Sequence, residues 1–347
     1  MKITAVGIDL AKNLFAIHGV DERGKVMVRK QLKRAEVAKF FANLPPCLIG
    51  MEACASAHYW ARKLMAFGHS VKLMAPQFVK PYVKTNKSDA RDAEAICEAV
   101  QRPNMRFVPV KTPEQQAVLA LHRARQGFVK ARTAQANQMR GLLGEFGLVI
   151  AKGIRHLPKC MPEILEDAEN GLPGQARQLF AGLLEHFLEL DRRVAALERD
   201  IVLWHRNNEH SRKLEKIAGI GPITASALVA SIGDARSLQS AGQAAAWVGL
   251  VPRQHSSGGK DRLLGISKRG DVYLRTLLIH GARSVIMRVE AQADRGNGWL
   301  KALLTRRNKN VAAVALANKN VRIAWALLAK EREYQANYAP SAKVAQA

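Results

Sequence analysis

Cysteine is scarce in this chain, and its placement excludes two common kinds of site. No Cys-x-x-Cys pair occurs among the four cysteines, Cys47, Cys54, Cys97 and Cys160. The sequence therefore indicates neither a zinc knuckle nor a disulfide framework. Cys54 and His58 could share a helix face, but without a second pair we interpret them as packing residues rather than metal ligands. We expect a reduced, cytoplasmic protein.

The chain also lacks an uninterrupted apolar stretch of the roughly 18 residues that a membrane helix needs. Charged residues interrupt the two best candidates, Asp234 and Arg236 in one, Lys319 and Arg322 in the other. Asp9 interrupts the apolar run near the N-terminus, so we expect no signal peptide. The sequence thus predicts a protein with no membrane partner.

Acidic residues are few relative to basic ones. The 347 residues carry 54 Lys and Arg against 29 Asp and Glu, a formal net charge of +25. From residue 251 to the end, eighteen basic residues face six acidic ones. A charge excess of this size predicts a polyanionic partner, with the C-terminal third as one region of contact.

The first hundred residues have the pattern of an α/β domain. Residues 3–33 read as three strands, with Asp21-Glu-Arg-Gly24 as a turn in which Gly24 suits a positive φ. The next predicted elements are a helix near 34–43, a strand over 47–52, a helix over 57–67, a strand over 70–74 and a helix from about 88 to 101. This is the element order of an RNase H-like fold, in which the first and fourth strands are neighbours.

Four carboxylates occupy informative places in this pattern. Asp9 and Glu52 each close an apolar run, and Asp89 and Asp92 are three residues apart on one face of the last predicted helix. Each acid alone could end a strand, cap a helix or favour the helix dipole. Together they predict a two-metal site, because clustered acids need neutralisation and divalent cations prefer oxygen ligands.

Two long helices are predicted over 114–147 and 175–206. In the second, seven apolar residues follow a 4-3-4-3-4-3 spacing typical of a coiled-coil seam: Leu183, Phe187, Leu190, Val194, Leu197, Ile201 and Trp204. We predict a coiled coil that mediates self-association. The alternative is a long helix packed on its own domain.

The segment 214–233 reads as helix, Gly-Ile-Gly turn and helix, the sequence form of a helix–hairpin–helix. Gly219 and Gly221 would let the backbone approach a nucleic-acid phosphate, and the second helix would offer free N–H groups. A plain packing unit would look similar. Further helices are predicted over 271–290 and 310–333, and the last dozen residues have a composition typical of disorder.

A second constellation surrounds Ser256-Ser-Gly-Gly259. Composition alone predicts a flexible loop. The functional interpretation is a serine nucleophile on a mobile loop, with nearby basic residues that hold phosphate oxygens: Arg253, Lys260, Lys268, Arg269 and Arg275. A serine hydroxyl needs a base or a metal beside it to act as a nucleophile. His255 is the neighbour of Ser256 in the chain, and adjacent residues rarely have a productive geometry for proton transfer. We therefore predict that the carboxylate cluster activates the serine.

At these residues the chain resembles the insertion-sequence transposases that combine an N-terminal RuvC-like Asp-Glu-Asp-Asp domain with a C-terminal serine domain, the bridge-RNA-guided recombinases. The resemblance covers about residues 1–330. It is carried by Gly-Ile-Asp9, Met51-Glu-Ala53, Lys87-Ser-Asp-Ala-Arg-Asp92, the Gly-Ile-Gly turn, Pro-Arg-Gln-His-Ser-Ser-Gly-Gly259 and Ile-Ser-Lys-Arg-Gly270. Their order and spacing together make it specific.

The resemblance implies a mechanism that spacing alone does not show. In that family the acids bind Mg²⁺, here Asp9, Glu52, Asp89 and Asp92, with Mn²⁺ as another candidate ion. A serine forms a covalent link to DNA; we place it at Ser257, with Ser256 as the alternate. The two halves of a site come from different protomers, which implies a dimer or tetramer, and a structured guide RNA pairs with donor and target DNA.

The sequence therefore predicts a RuvC-like metal-binding domain (1–112), a helical coiled-coil region (113–210), a mostly α-helical transposase domain with a helix–hairpin–helix and the serine loop (211–333), and a disordered tail (334–347). We expect an RNA-guided DNA recombinase. One alternative is a metal-dependent junction-resolving nuclease that uses water as the nucleophile. Another is an inactive nucleic-acid-binding protein that keeps the fold.

Overall fold

The computed structural model describes residues 2–84, 88–291 and 298–335. The chain divides into two compact units, Met1–Pro113 and Glu114–Ala347. Two predicted features fall partly outside the described residues: Lys87 of the acidic motif, and the tail from residue 336 onward.

The N-terminal unit begins with three antiparallel strands, as predicted. They are β1 (Ala5–Leu10), β2 (Leu14–Val20) and β3 (Val26–Lys33). Gly24 lies in the turn between β2 and β3 with φ +78°, a conformation that glycine adopts without a steric penalty.

The remaining elements of this unit include the predicted series of helices and strands, together with a four-residue helix and a two-residue strand that were not predicted. They are α1 (Arg34–Ala42), β4 (Leu48–Glu52), α2 (Ala57–Ala66), β5 (Ser70–Met74), α3 (Pro76–Val79), α4 (Asp89–Val100) and β6 (Phe107–Val108). The strand order is β3-β2-β1-β4-β5-β6, with β1 parallel to β4. The expected adjacency of the first and fourth strands is confirmed. This mixed sheet is consistent with an RNase H-like fold.

The two faces of the sheet are covered differently. On one face, Ile8 and Met51 are buried in an apolar core with Trp60 and Leu64 of α2. On the other face, the central strands present glycines, so α4 lies directly on the backbone. A methyl group on Gly7 would lie 2.1 Å from the Ala93 carbonyl oxygen of α4.

The second unit is mostly helical. Its elements are α5 (Pro113–Gly144), α6 (Leu157–Glu166), α7 (Gly174–Asn207), α8 (Glu209–Glu215), α9 (Pro222–Ile232), α10 (Ala241–Val248), β7 (Pro252–Gln254), β8 (Leu263–Ile266), α11 (Val272–Ala291), α12 (Gly298–Leu304) and α13 (Lys309–Ala329). Strands β7 and β8 form a small antiparallel hairpin. The C-terminal helices α8 to α13 share one large apolar core.

The apolar seam predicted on α7 is buried within the chain itself. Phe187, Leu190, Val194 and Ile201 are each 6 % exposed or less. Helix α5 runs antiparallel to α7, because residues later in α5 contact residues earlier in α7: Glu114 with Trp204, Arg125 with Glu198, and Arg132 with Asp191. Helices α6, α8 and α9 also pack against α7. The structure thus supports the alternative from the sequence, a long helix packed on its own unit.

The Gly-Ile-Gly turn connects α8 and α9 as predicted, but Gly219 does not serve the predicted approach to a phosphate. It adopts φ +90°, and its backbone packs against α11, where a methyl group on Gly281 would lie 1.9 Å from the Gly219 carbonyl oxygen. Two glycines are needed for this close helix packing. Gly221 has open space beside its Cα and precedes the first turn of α9.

Helix α13 corrects the expectation that no stretch is long and apolar enough to span a membrane. Within the described residues it is the one helix that is long and apolar enough by this test. Its mean hydropathy remains high although it contains Lys319 and Arg322. Half of its apolar window is buried inside the unit. Leu316 and Val321 belong to the core, so the apolar character of α13 is accounted for by packing.

Candidate catalytic site

Three of the four predicted acids meet in the N-terminal unit. One carboxylate oxygen from each of Asp9, Asp89 and Asp92 lies within 4.8 Å of the others. Asp9 is near the end of β1, and the other two are in the first turn of α4. Asp9 and Asp92 are half-buried and Asp89 is exposed. The site is therefore open to a ligand on one side.

The position of this cluster follows from the way α4 lies on the sheet. Successive residues of a strand point to opposite faces, so Asp9 points to the same face as Gly7. Gly7 has no side chain, and α4 approaches β1 so closely that a methyl group there would meet Ala93 and Cys97. In its first turn, just before Ala93, the helix presents Asp89 and Asp92 over the end of β1.

Glu52 lies on the neighbouring strand but outside this group. Ile8 of β1 pairs with Met51 of β4, so Asp9 and Glu52 are the next residues along two parallel strands. Desolvation raises the pKa of the Cys54 thiol, and the negative charges of Glu52 and Asp9 raise it further. Among the described residues, the oxygens within 4.8 Å of one another are those of the three aspartates.

The cluster fits a hard divalent cation. Carboxylate oxygens are the ligands that Mg²⁺ and Mn²⁺ prefer, and Mg²⁺ is commonly held by one or two protein carboxylates and several waters. Three negative charges within 4.8 Å repel one another, and a bound cation removes that cost. Glu52 ends the neighbouring strand, outside this group of oxygens.

The predicted serine loop forms a hairpin with a two-residue turn. Ser257 and Lys260 are bridge partners, and the Lys260 N–H donates to the Ser257 carbonyl oxygen at 3.1 Å. The two turn residues, Gly258 and Gly259, have φ +55° and +75°. Positive φ at both central positions defines a type I′ turn, for which glycine is strongly favoured. The paired glycines thus specify a turn where composition alone suggested a flexible loop.

Buried backbone contacts hold the base of this hairpin. Gly249 approaches residue 269 so closely that a methyl group would lie 2.0 Å from the Arg269 carbonyl oxygen. The Arg275 guanidinium donates from one nitrogen to the carbonyl oxygens of Val248 and Arg269, at 3.0 Å each. Arg275 is 8 % exposed. We predicted that Arg275 holds phosphate oxygens; the structure instead places it under the hairpin, where it bonds to the backbone.

The other predicted phosphate ligands of this region are on the surface. Arg253, Lys260, Lys268 and Arg269 are all exposed. Lys268 also adopts φ +56°, and its N–H donates to the Gly249 carbonyl oxygen at 3.1 Å. These four side chains are therefore available to a polyanion, and the backbone of Lys268 also supports the base of the hairpin.

Sequence patterns did not reveal a buried polar network that joins α5, α9 and α11. The His122 ring lies 3.0 Å from the Tyr273 hydroxyl and 3.1 Å from the Ser226 hydroxyl. Burial lowers the pKa of His122 to about 4, so the ring is neutral near pH 7. The Ser226 hydroxyl donates to the Pro222 carbonyl oxygen at 2.7 Å, which leaves it to accept from the imidazole and Tyr273 to donate. A lone histidine in a long helix carries no sequence signal for this contact.

The sheet order and the aspartate cluster define a class, that of RNase H-like domains with a metal-binding acid cluster. Two family models identify the class more narrowly. One, DEDD_Tnp_IS110, described as a transposase, matches residues 6–147. The other, described as the transposase IS116/IS110/IS902 family, matches residues 211–301.

Curated relatives resemble the chain over nearly its whole length. A probable family 20 transposase of Pseudomonas aeruginosa is 54 % identical over 336 residues, which are 96 % of this chain and 99 % of the relative. The transposase for insertion sequence element IS1111A of Coxiella burnetii is 45 % identical over 96 % of this chain and 92 % of its own length. The transposase for IS1328 of Yersinia enterocolitica is 45 % identical over 93 % and 96 %.

The chain belongs to the IS116/IS110/IS902 family of insertion-sequence transposases. It is a DNA-recombining enzyme, and DNA is its substrate. Its DEDD-type N-terminal domain indicates the use of a divalent metal ion.

Proposed function

We propose that this transposase cuts and rejoins DNA through a covalent ester between Ser257 and a DNA phosphate, with Mg²⁺ at the aspartate cluster and a structured RNA as guide. The observation that carries the proposal is the meeting of Asp9, Asp89 and Asp92 within 4.8 Å. Phosphoryl transfer depends mainly on positioning and on stabilising the charge of the phosphoryl oxygens. A cluster of metal-binding acids in a DNA-recombining enzyme suits that requirement.

Each group has a defined task in this scheme. When bound, Mg²⁺ supplies positive charge opposite the phosphoryl oxygens. Asp9, Asp89 and Asp92 hold the ion, and Glu52 at the neighbouring strand end completes its surroundings. Ser257 provides the oxygen that bonds to phosphorus as a strand end leaves. The reverse reaction with another strand end rejoins the DNA and frees the serine.

The partners follow from charge and from the family resemblance. Exposed Arg253, Lys268 and Arg269 and the charge of +25 support general contacts to phosphates, and such contacts carry no sequence information. Base pairing by a guide RNA would supply the missing specificity for donor and target DNA. Gly221, beside the open first turn of α9, is a further backbone contact in this proposal.

The proposal also assigns a role to each region of the chain and an oligomeric state to the active protein. Residues 1–112 bind the metal, 113–210 form the helical region, and 211–333 carry the serine. The active form is a dimer or tetramer in the cytoplasm. Because Phe187, Leu190, Val194 and Ile201 of the α7 seam are buried within the chain, the self-association surface in this proposal involves residues outside the seam.

A second candidate is a metal-dependent nuclease that uses water as the nucleophile. It is favoured by one observation: the three aspartates of the N-terminal unit meet within 4.8 Å of one another, as a metal site that activates water requires. In that case the basic residues around Ser257 would bind DNA only. The two candidates differ in whether a protein–DNA bond forms.

The deciding experiment uses the full chain purified with its bound RNA. The RNA is sequenced, and the complex is incubated with donor and target DNA in Mg²⁺ and analysed on denaturing gels. We expect a single structured RNA species and a covalent protein–DNA band that persists in Ser256→Ala and disappears in Ser257→Ala. Cleavage without a covalent band, unchanged by both substitutions, would support the water-using nuclease. Activity that survives Asp9→Ala would contradict the role of the acids.

A further inference from the structure

The serine hairpin has two chemically different faces. Its register follows from three contacts: Ser257 bridges to Lys260, the His255 N–H donates to the Arg262 carbonyl oxygen at 2.9 Å, and Gln254 pairs with Leu263. Residues directly opposite each other in an antiparallel pair share a face, and so do residues two apart in one strand. The hairpin therefore divides its side chains into two sets.

One set, which we name the amide face, contains Gln254, Ser256 and Asp261, together with the exposed Leu263 opposite Gln254. The Gln254 side-chain NH₂ donates to the Ser256 hydroxyl at 3.0 Å and to the Asp261 carboxylate at 3.2 Å. The Arg262 backbone N–H also donates to the Ser256 hydroxyl, at 3.3 Å. Both lone pairs of this hydroxyl oxygen are thus in use. Ser256 is a structural residue of the hairpin.

The other set, which we name the basic face, consists of His255, Ser257, Lys260 and Arg262. All four residues are exposed. Within the part of the chain that the structure describes, the Ser257 hydroxyl has no hydrogen-bond partner. Lys260 is directly across from Ser257, and His255 is two residues away on the same strand. The basic face thus presents the free Ser257 hydroxyl beside two cationic side chains, Lys260 and Arg262, and the imidazole of His255.

We propose that the basic face is the serine half of the phosphoryl-transfer site, in which Lys260 and Arg262 bind the oxygens of the scissile phosphate and His255 carries the proton of Ser257. This inference rests on the proposed serine ester. Two cationic donors, two residues apart on the strand opposite Ser257, suit a tetrahedral phosphate. The spacing of two residues, unlike the adjacency of His255 to Ser256, brings the imidazole to the same face as the hydroxyl.

The step balances without a further reactant. As the bond from the Ser257 hydroxyl oxygen to phosphorus forms, the hydroxyl proton moves to the His255 ring nitrogen. The bond from phosphorus to the leaving strand end breaks, and the imidazole returns the proton to that oxygen. Lys260 and Arg262 offset the charge on the non-bridging oxygens throughout. In the rejoining step the same groups act in reverse order.

The test measures the rate of covalent adduct formation at saturating DNA with the full RNA-bound protein. We expect Lys260→Met and His255→Ala each to slow adduct formation by about 10²-fold, while Lys260→Arg retains most of the rate because it keeps the charge. Added imidazole should restore part of the rate of His255→Ala and have no effect on the wild-type protein. Such rescue would not follow from loss of a merely structural residue.

The matched control is Asp261→Asn on the amide face, next to Lys260. It keeps an oxygen that can accept from Gln254 and should leave the rate within about twofold of wild type. Gel-shift affinity for DNA is measured for every variant, so that weakened binding is separated from a slower chemical step.

Two outcomes separate this inference from the function on which it rests. If Ser257→Ala forms no adduct but Lys260→Met and His255→Ala form it at the wild-type rate, the basic-face site is wrong and the serine ester stands. If Ser257→Ala still forms the adduct, the proposed function itself fails. If Lys260→Met slows adduct formation only at subsaturating DNA, Lys260 contributes to DNA binding and not to the chemical step. That result would overturn the proposed role of Lys260.

Discussion

The aspartate cluster and the serine hairpin are held in place by different forces. The cluster depends on close packing: Gly7 lets α4 lie on β1, and the apolar face beneath buries Ile8 and Met51. The hairpin depends on buried polar contacts, chiefly those of Arg275 with the carbonyl oxygens under its base. Packing is sensitive to volume, whereas polar contacts are sensitive to the loss of a donor and to protonation.

The largest expected effect concerns the charge of the cluster. Asp92→Asn keeps the shape of the side chain but removes a negative charge from the three oxygens that meet within 4.8 Å. We expect DNA cleavage in Mg²⁺ to fall by about 10³-fold or more, with the thermal unfolding midpoint unchanged or raised, because repulsion between the acids is relieved. Glu94→Gln on the same helix, where Glu94 pairs with Arg29, is the control. Equal cleavage by Asp92→Asn and Glu94→Gln would contradict the metal site.

The next effect tests packing. In Gly7→Ala the new methyl group would lie 2.1 Å from the Ala93 carbonyl oxygen, so α4 must move away from β1. We expect a loss of about 3 kcal/mol in the free energy of unfolding, measured by urea denaturation, together with loss of cleavage. Gly141→Ala in α5, where nothing lies within 4 Å of the new methyl group, should stabilise slightly. A fully active Gly7→Ala protein would show that the cluster does not depend on this approach.

The pH dependence of the free energy of unfolding tests a buried polar contact, that of His122. Because burial lowers the pKa of His122 from its ordinary 6.5 to about 4, the unfolded chain takes up a proton between these values before the folded protein does. Stability should therefore be full above pH 6.5 and fall by about 3 kcal/mol as the pH drops to 4. Urea denaturation at several pH values measures the slope. His122→Gln should lose this part of the pH dependence; an unchanged slope would refute the assignment.

Removal of the donor under the hairpin should have a smaller effect. Arg275→Met leaves the carbonyl oxygens of Val248 and Arg269 without the guanidinium. We expect a loss of about 2 kcal/mol in the free energy of unfolding and slower adduct formation. The exposed Arg288 on the same helix provides the control, Arg288→Met, whose stability should remain within about 0.5 kcal/mol of wild type.

The smallest effect on stability belongs to the hairpin turn. Gly258→Ala fits into open space but must adopt φ +55°, at a cost of about 1 kcal/mol confined to the turn. The thermal midpoint should hardly change, while adduct formation declines because the pairing of Ser257 with Lys260 is weakened. A large fall in the midpoint would show that the turn contributes to the fold of the whole unit.

Much of the N-terminal unit could be predicted because its signals are local. The period of apolar residues located the strand at 70–74 and the helix near 57–67, which the structure places at Ser70–Met74 and Ala57–Ala66. The acids at strand ends and on one helix face were visible for the same reason. The two-residue strand β6 was missed, since two residues show no period.

The less predictable features all depend on which residues become neighbours in space. The α7 seam could equally have faced another chain or α5, because an apolar stripe does not specify its partner. Arg275 looked like a phosphate ligand because its sequence neighbours are basic and exposed, yet α11 turns it inward. Glu52 was grouped with the three aspartates, but its strand places it beside their cluster.

The sequence by itself determined the class of this protein, the positions of its acids and the presence of a serine within a basic segment. These are properties of composition, spacing and period, which act over a few residues. Only the tertiary structure decided that Gly7 brings α4 onto β1, that the α7 seam is buried within its own unit, and that Ser256 and Ser257 lie on opposite faces of a hairpin. Those outcomes depend on strand register and on contacts between distant segments, which local patterns do not encode.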